Sequence, residues 1–406
     1  MSKKNKRKKW IKPRHAVFRN LLSVFLSPYS SAKYGIKVEK FKNQEKRPYL
    51  ILFNHQTAFD QFFVGMAFKR PVYYLATEDI FSNGWVSSLI KYLVEPIPIK
   101  KQTTDLKAIM TCIRVAKEGG SIAIAPEGNR TYSGKTVYMS PSIAPLARKL
   151  GMPIALFRIE GGYGVQPRWS DVVRKGKMRA YVSRVIYPEE YKEMTDDQLF
   201  EEIKGELDIN EAVADGIFAH KKLAEYLERT MYTCPFCGLS ELESSDDIIT
   251  CKKCNRKIKY LPTKELEGVG FDFPHRFVLD WYDAQSELVN SLELEDRGDE
   301  LFYDEEVREL REVIPYEQKK LICKNGRIRL YGNRAELDLG SEVIVCRFDE
   351  ASTITVLGRN KLNIYHGDKI YQVKGNERFN ALKYVHFYNR YKNIVKGEKH
   401  VQFLGL

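Results

Sequence analysis

Tyr49-Leu50-Ile51-Leu52-Phe53-Asn54-His55-Gln56-Thr57-Ala58-Phe59-Asp60 is the stretch on which the reading of this chain turns. Five apolar residues in a row suit a strand buried on both faces, as in a parallel sheet. Asn54 and His55 break the run. Residues 58–68 then place Phe59, Phe62, Phe63 and Met66 on one helical face. The pattern repeats outward. Apolar runs at 72–76, 96–99, 121–125 and 153–159 alternate with helix-like segments at 85–94 and 105–117, the latter ended by Gly119-Gly120. This alternation predicts an α/β domain with a mostly parallel sheet.

The loop between the first strand and its helix holds chemistry. An aspartate one turn into the helix can reach a histidine in the loop, fix one imidazole tautomer and leave the other nitrogen free to take a proton. His55 and Asp60 thus form the base-and-orienter half of a triad, with a substrate hydroxyl as the nucleophile. Taken alone, a loop histidine bonded to a nearby carboxylate is an ordinary structural feature. A second block, Pro126-Glu127-Gly128-Asn129-Arg130, follows the run at 121–125. Gly128 permits a tight turn, Arg130 offers a planar fork for phosphate, and Glu127 can accept a hydrogen bond from a polyol. The bland alternative is a Glu–Arg surface pair. The run at 96–99 ends in Lys100-Lys101. If the strands are parallel, His55, Lys100, Glu127 and Arg130 gather at one carboxyl edge, where open α/β sheets bind ligands.

These blocks resemble the NHx4D and PEGTR motifs of the glycerolipid (1-acylglycerol-3-phosphate) acyltransferases, and Met152-Pro153-Ile154 resembles that family's later proline block. Order and spacing agree over residues 45–230. The resemblance implies an enzyme that moves a fatty acyl group from acyl-CoA or acyl-ACP to a lysophospholipid hydroxyl, with no catalytic cofactor, in phospholipid biosynthesis. His55 would be the base with Asp60 behind it, while Glu127, Gly128, Arg130 and Lys100 would hold the glycerol phosphate. Three departures bear on the acceptor: Lys100 replaces a usual arginine, Asn129 a usual threonine, and Thr77 lies near a usual lysine.

Cys234-Pro-Phe-Cys237 and Cys251-Lys-Lys-Cys254 are two knuckles separated by 13 residues. Four thiolates so spaced predict a closed structural zinc ribbon at 233–260; iron has the same ligands in a rubredoxin-like site. Paired thiols also suit a reducing compartment. Cys112, Cys323 and Cys346 read as core. Residues 196–229 read as helical, as does an acidic stretch from His275 to about Glu312. Short strands are expected at 326–331, 342–348, 352–357, 361–365 and 369–373, then an amphipathic helix at 378–394. This resembles a small, mainly-β PH-like domain, by pattern alone.

The chain of 406 residues is 43% hydrophobic and carries a net charge of +13. Its first 50 residues hold fifteen Lys/Arg against Glu39 and Glu45, so the excess is N-terminal. A basic arm on a neutral body suits an anionic membrane surface or nucleic acid. Apolar residues 16–26 follow at near-helical spacing, for a short helix that enters lipid or packs on the protein's own core. No apolar run approaches the ~20 residues of a membrane span. A signal peptide is the rival reading; Arg19 interrupts its apolar patch.

The expected order is a membrane-association segment at 1–45, the acyltransferase domain at 46–232, the zinc ribbon, a helical acidic connector at 261–315 and the PH-like domain at 316–406. The expected location is the cytoplasmic membrane face, peripheral or monotopic. Expected partners are lysophospholipid, acyl thioester, an anionic membrane and possible acyl carrier protein. Two other classes remain: an inactive lipid-binding adaptor, and a zinc-ribbon nucleic-acid binder, which leaves the His55 and Glu127 blocks unexplained.

Overall fold

The computed structural model describes residues 9–99, 105–136, 138–314, 317 and 319–397. The chain divides into two compact units. Residues up to Gly128, Met139–Glu160 and Lys177–Ile209 form the first; Asn129–Tyr138, Gly161–Gly176 and the chain from Asn210 form the second.

Helix α1 (Pro13–Tyr34) opens the first unit, with proline in its first turn and Gly35 closing it at φ 60. It is longer than the short helix expected. His15, Ser30 and Tyr34 are buried, and His15 Nδ1 lies 3.0 Å from the Tyr73 hydroxyl. Arg19 donates to the carbonyls of Gly65 and Phe68. Val17, Leu21, Val24 and Phe25 are exposed. One face of the helix therefore packs on the protein and the other does not. Upstream, the backbone N–H groups of Trp10 and Ile11 donate to Glu118.

Seven strands follow: β1 (Ile36–Val38), β2 (Leu50–Phe53), β3 (Val72–Thr77), β4 (Ile97–Ile99), β5 (Ser121–Ile124), β6 (Ile154–Glu160) and β7 (Met178–Ile186). Their spatial order is β1-β7-β6-β2-β5-β3-β4. β6, β2, β5, β3 and β4 run parallel, as the alternation predicts. β7 is antiparallel to β6 and parallel to β1, so the sheet is mixed. Central β2 is buried along its whole length. The helices α2 (Asp60–Ala67), α3 (Trp85–Val94), α4 (Leu106–Lys117) and α5 (Ile143–Leu150) join the strands. Asp105 caps α4 by accepting from the N–H groups of Lys107 and Ala108. Pairing of Leu52 with Ile124 and of Phe53 with Phe157 brings the carboxyl ends of β2, β5 and β6 to one edge.

The second unit contains the cysteine module. β8 (Thr233–Cys234) and β9 (Gly238–Leu239) form one knuckle, beside an antiparallel sheet of β10 (Leu242–Ser245), β11 (Ile248–Cys251), β12 (Lys257–Tyr260) and β13 (Leu266–Gly268). A seven-stranded antiparallel sheet follows: β14 (Leu301–Glu312), β15 (Lys320–Tyr331), β16 (Arg334–Asp338), β17 (Val343–Arg347), β18 (Ala351–Leu357), β19 (Lys361–His366) and β20 (Lys369–Gly375). Its order is β17-β16-β15-β14-β20-β19-β18, and the helix Leu382–Val395 lies against β18. One apolar core runs through the unit, including Trp169, Ile249, Trp281, Ile364 and Phe387.

Two helical expectations are corrected. From 275 to 312, helix covers only Val278–Asn290, and Leu301–Glu312 is a strand at the middle of the C-terminal sheet. The acidic run is a cross-strand ladder: Asp304 and Glu306 pair with Arg327 of β15, while Val307 and Leu310 turn into the core. That sheet therefore begins before the boundary expected at 316. From 196 to 229, regular α-helix covers only Asp196–Leu207. Beyond it the backbone bonds elsewhere: Asn210 bridges to Lys135, Ala219 bridges to Lys175, and the buried Lys264 ammonium takes the Glu211 and Ala214 carbonyls.

Candidate active site

The site grows from the carboxyl end of β2. Asn54 is fully buried; its amide donates to the Ile159 carbonyl at 2.8 Å and accepts from the Ile159 N–H at 2.7 Å. This double bond to the neighbouring β6 anchors the loop that follows.

His55 Nδ1 lies 2.8 Å from Asp60 Oδ2. Asp60 is fully buried at the first position of α2, where the helix N-terminus favours negative charge. Its oxygens also accept from the Gln56 N–H at 2.6 Å, the Thr57 N–H at 2.9 and 3.0 Å, and the Thr57 hydroxyl at 2.6 Å. So many donors hold Asp60 as a carboxylate, and a carboxylate can only accept. Nδ1 must therefore carry a proton, so that in the neutral imidazole the lone pair lies on Nε2. The imidazole keeps a quarter of its side chain exposed and rests edge-on against Phe53. An imidazole so held can take a proton from a hydroxyl. Gln56 is buried with neither amide atom hydrogen-bonded among the described residues, a cost the loop carries.

Glu127 follows β5 at the same edge. It is only 6% exposed, so the surface-pair alternative does not hold. Its Oε1 accepts the His55 backbone N–H at 2.8 Å. Burial pushes the carboxyl up to about 8; the His55 N–H opposes the rise, and the charges of Asp60 and Asp208 add to it. Gly128 makes the expected tight turn at φ 72, its N–H donating to the Ala125 carbonyl at 3.0 Å. The structure thus brings His55, Asp60 and Glu127 together. Arg130 belongs to the second unit, where its carbonyl accepts from Arg168 at 2.9 Å. Lys100 and Lys101 lie outside the described residues. Sequence reasoning missed Asn54 and Thr57 as loop-builders, though both letters stand inside the quoted stretch.

In the cysteine module, the sulfurs of Cys234, Cys237, Cys251 and Cys254 all lie within 4.8 Å of one another, and Cys234 and Cys254 are 3.8 Å apart. Tetrahedral zinc with Zn–S bonds of about 2.3 Å separates its sulfurs by about 3.8 Å. Each knuckle closes on a left-handed residue, Gly238 at φ 72 and Asn255 at φ 58. The four thiolates can hold one metal ion.

Residues 35–159 match the Acyltransferase family model. The chain is similar to the 1-acyl-sn-glycerol-3-phosphate acyltransferase of Bacillus subtilis (strain 168), 24% identical over 177 residues, 42% of this chain and 82% of that protein. It is also similar to the chloroplastic 1-acyl-sn-glycerol-3-phosphate acyltransferase BAT2 of Brassica napus, 21% identical over 43% of this chain and 50% of that one. The chain thus spans about half the length of that plant relative. Among solved structures, the 1-acyl-sn-glycerophosphate (LPA) acyltransferase PlsC from Thermotoga maritima aligns with a TM-score of 0.39 and 20% identity, covering 48% of this chain and 75% of that one. Residues 35–159 of the chain thus resemble the acyltransferase domain of the glycerolipid (1-acylglycerol-3-phosphate) acyltransferases.

Proposed function

We propose that this chain transfers a fatty acyl group from an acyl thioester, acyl-CoA or acyl-ACP, to the hydroxyl of a lysophospholipid, with 1-acylglycerol-3-phosphate as the preferred acceptor. The observation that carries the reading is the His55–Asp60 pair, its tautomer set by a saturated buried carboxylate. His55 Nε2 takes the proton of the acceptor hydroxyl as its oxygen attacks the thioester carbonyl. The tetrahedral intermediate expels the thiolate, which recovers the proton from His55. No covalent acyl-enzyme and no catalytic cofactor is needed. Arg130 holds the acceptor phosphate as a planar fork. Glu127 holds the His55 backbone and faces the glycerol end as a largely neutral carboxyl at pH 7. Gly128 gives the turn between them.

The cysteine module takes structural zinc in place of iron, and the C-terminal sheet with its helix acts as a PH-like domain. Among the described residues no helix is long and apolar enough to cross a membrane. We place the protein peripherally on the cytoplasmic membrane face, held by the exposed face of α1 together with the basic arm before it. Val17 is 68% exposed and Phe25 66%.

The test is to offer purified protein radiolabelled acyl-CoA or acyl-ACP with a panel of lysolipids and to identify the product. Labelled 1,2-diacylglycerol-3-phosphate is expected. Transfer confined to acceptors without a phosphate would overturn the acceptor assignment, and no transfer to any lysolipid would leave a lipid-binding adaptor.

A further inference from the structure

Among the described residues, the second unit holds a buried guanidinium with no carboxylate acting on it. Arg168 is 3% exposed, and among the described residues the polar groups acting on its charge are the hydroxyls of Tyr132 and Tyr282. Burial disfavours its charged form. It is instead held by two backbone carbonyls and one ring. One terminal nitrogen donates to the Arg130 carbonyl at 2.9 Å, and the other to the Val356 carbonyl at 3.4 Å. Its central carbon stands 4.1 Å from the centre of the Tyr132 ring. The Val356 carbonyl is available because β18 is an edge strand, paired only with β19. A second tie runs alongside: Arg359, just past β18, meets Asp171 at 2.9 Å, and Asp171 also takes a fork from Arg229.

Arg130 stands in a stretch without regular structure, braced by the Thr131 hydroxyl, which donates to the Lys135 carbonyl and accepts the Gly134 N–H. Gripping the Arg130 carbonyl fixes its peptide plane, and with it the direction in which the side chain leaves the backbone. A phosphate fork is sensitive to such placement.

We propose that Arg168 is a positioning residue for acceptor recognition: it splints the Arg130 backbone to edge strand β18, so that the C-terminal sheet sets the aim of Arg130 at the acceptor phosphate. This rests on the reading of Arg130 as the acceptor-phosphate ligand. Arg168 itself touches no substrate. Its planar fork reaches the two carbonyls from two separate nitrogens, a span that the single nitrogen of a lysine does not reproduce.

The test measures steady-state transfer from acyl-CoA to 1-acylglycerol-3-phosphate with the full chain, comparing wild type, Arg130→Ala, Arg168→Met, Arg168→Lys and the double variant Arg130→Ala/Arg168→Met. Arg168→Met should raise the acceptor KM about 10- to 100-fold, while the donor KM and kcat at saturating acceptor stay within about 2-fold. Arg168→Lys should fall between wild type and Arg168→Met. The double variant should be no worse than Arg130→Ala, because Arg168 acts only through Arg130. Where Arg168→Met does not fold, Arg168→Lys, which keeps the charge and can keep one carbonyl bond, carries the same comparison. If Arg130→Ala raises the acceptor KM but the Arg168 variants leave it unchanged, or add to it in the double variant, the splint is wrong and the Arg130 reading stands. If Arg130→Ala leaves the acceptor KM unchanged, both fall.

Discussion

Replacing Asp60 by asparagine isolates charge from geometry. The oxygen nearest His55 can be kept, with the Gln56 and Thr57 N–H groups still donating to it, while the new amide nitrogen takes the place of Oδ1. The Thr57 hydroxyl, which now donates to Oδ1, can rotate to accept. What is lost is the negative charge that would face the imidazolium formed when His55 takes a proton. Unit charges about 4 Å apart interact by about 4 kcal/mol at an effective dielectric of about 20. At about 1.4 kcal/mol per decade, that is about 10³ in rate. The assay is release of free thiol from acyl-CoA with acceptor saturating, alongside a thermal melt to show that the variant folds. Asp60→Asn should melt as a folded protein and lose about 10³ in kcat. A folded variant within about 3-fold of wild type would refute the role given to Asp60 and the tautomer argument with it.

Glu127→Gln should change how stability depends on pH. The folded carboxyl titrates near 8 against an ordinary 4.5, so the native state holds a proton that the unfolded chain releases between those values, and wild-type stability falls across that window. The slope approaches about 1.4 kcal/mol per pH unit for one proton, and the glutamine variant should lack it; parallel melting-versus-pH curves for the two proteins would contradict the assignment. Metal analysis of the intact protein should give about one zinc per chain, and Cys234→Ser should release it and lower the melting temperature; a metal-free wild type of equal stability would contradict a structural site. Changing Leu21, Val24 and Phe25 together to glutamate should abolish flotation with anionic liposomes at high salt, where an apolar face holds and a basic arm is screened. Unchanged flotation would move the membrane contact away from α1.

The parallel strands were legible as apolar runs, of which Leu50–Phe53 is buried along its whole length, and the helices by the helical spacing of their apolar residues, although Trp85, Val86 and Leu89 of α3 stay exposed. β7 was not, because Arg179, Ser183 and Arg184 interrupt an otherwise apolar alternation at the less buried side of the sheet. β14 was misread as helix because its acidic residues gain partners only when β15 lies beside them, and that pairing is a property of the fold. In the site, the His55–Asp60 contact followed from spacing, since only the four residues 56–59 separate the loop histidine from the start of α2. The role of Asn54 did not, because its partner Ile159 is distant in sequence and adjacent only once β6 lies beside β2. The same holds for Arg168, whose partners come from Arg130 and Val356.

The most direct test of the account is single-turnover acyl transfer to 1-acylglycerol-3-phosphate by wild type and His55→Ala, with zinc content and melting temperature measured on the same preparations. His55→Ala should give a folded, zinc-loaded protein whose transfer rate falls by ~10²–10⁴, because a positioned general base has been removed and nothing else. A His55→Ala protein that transfers at near the wild-type rate would contradict it.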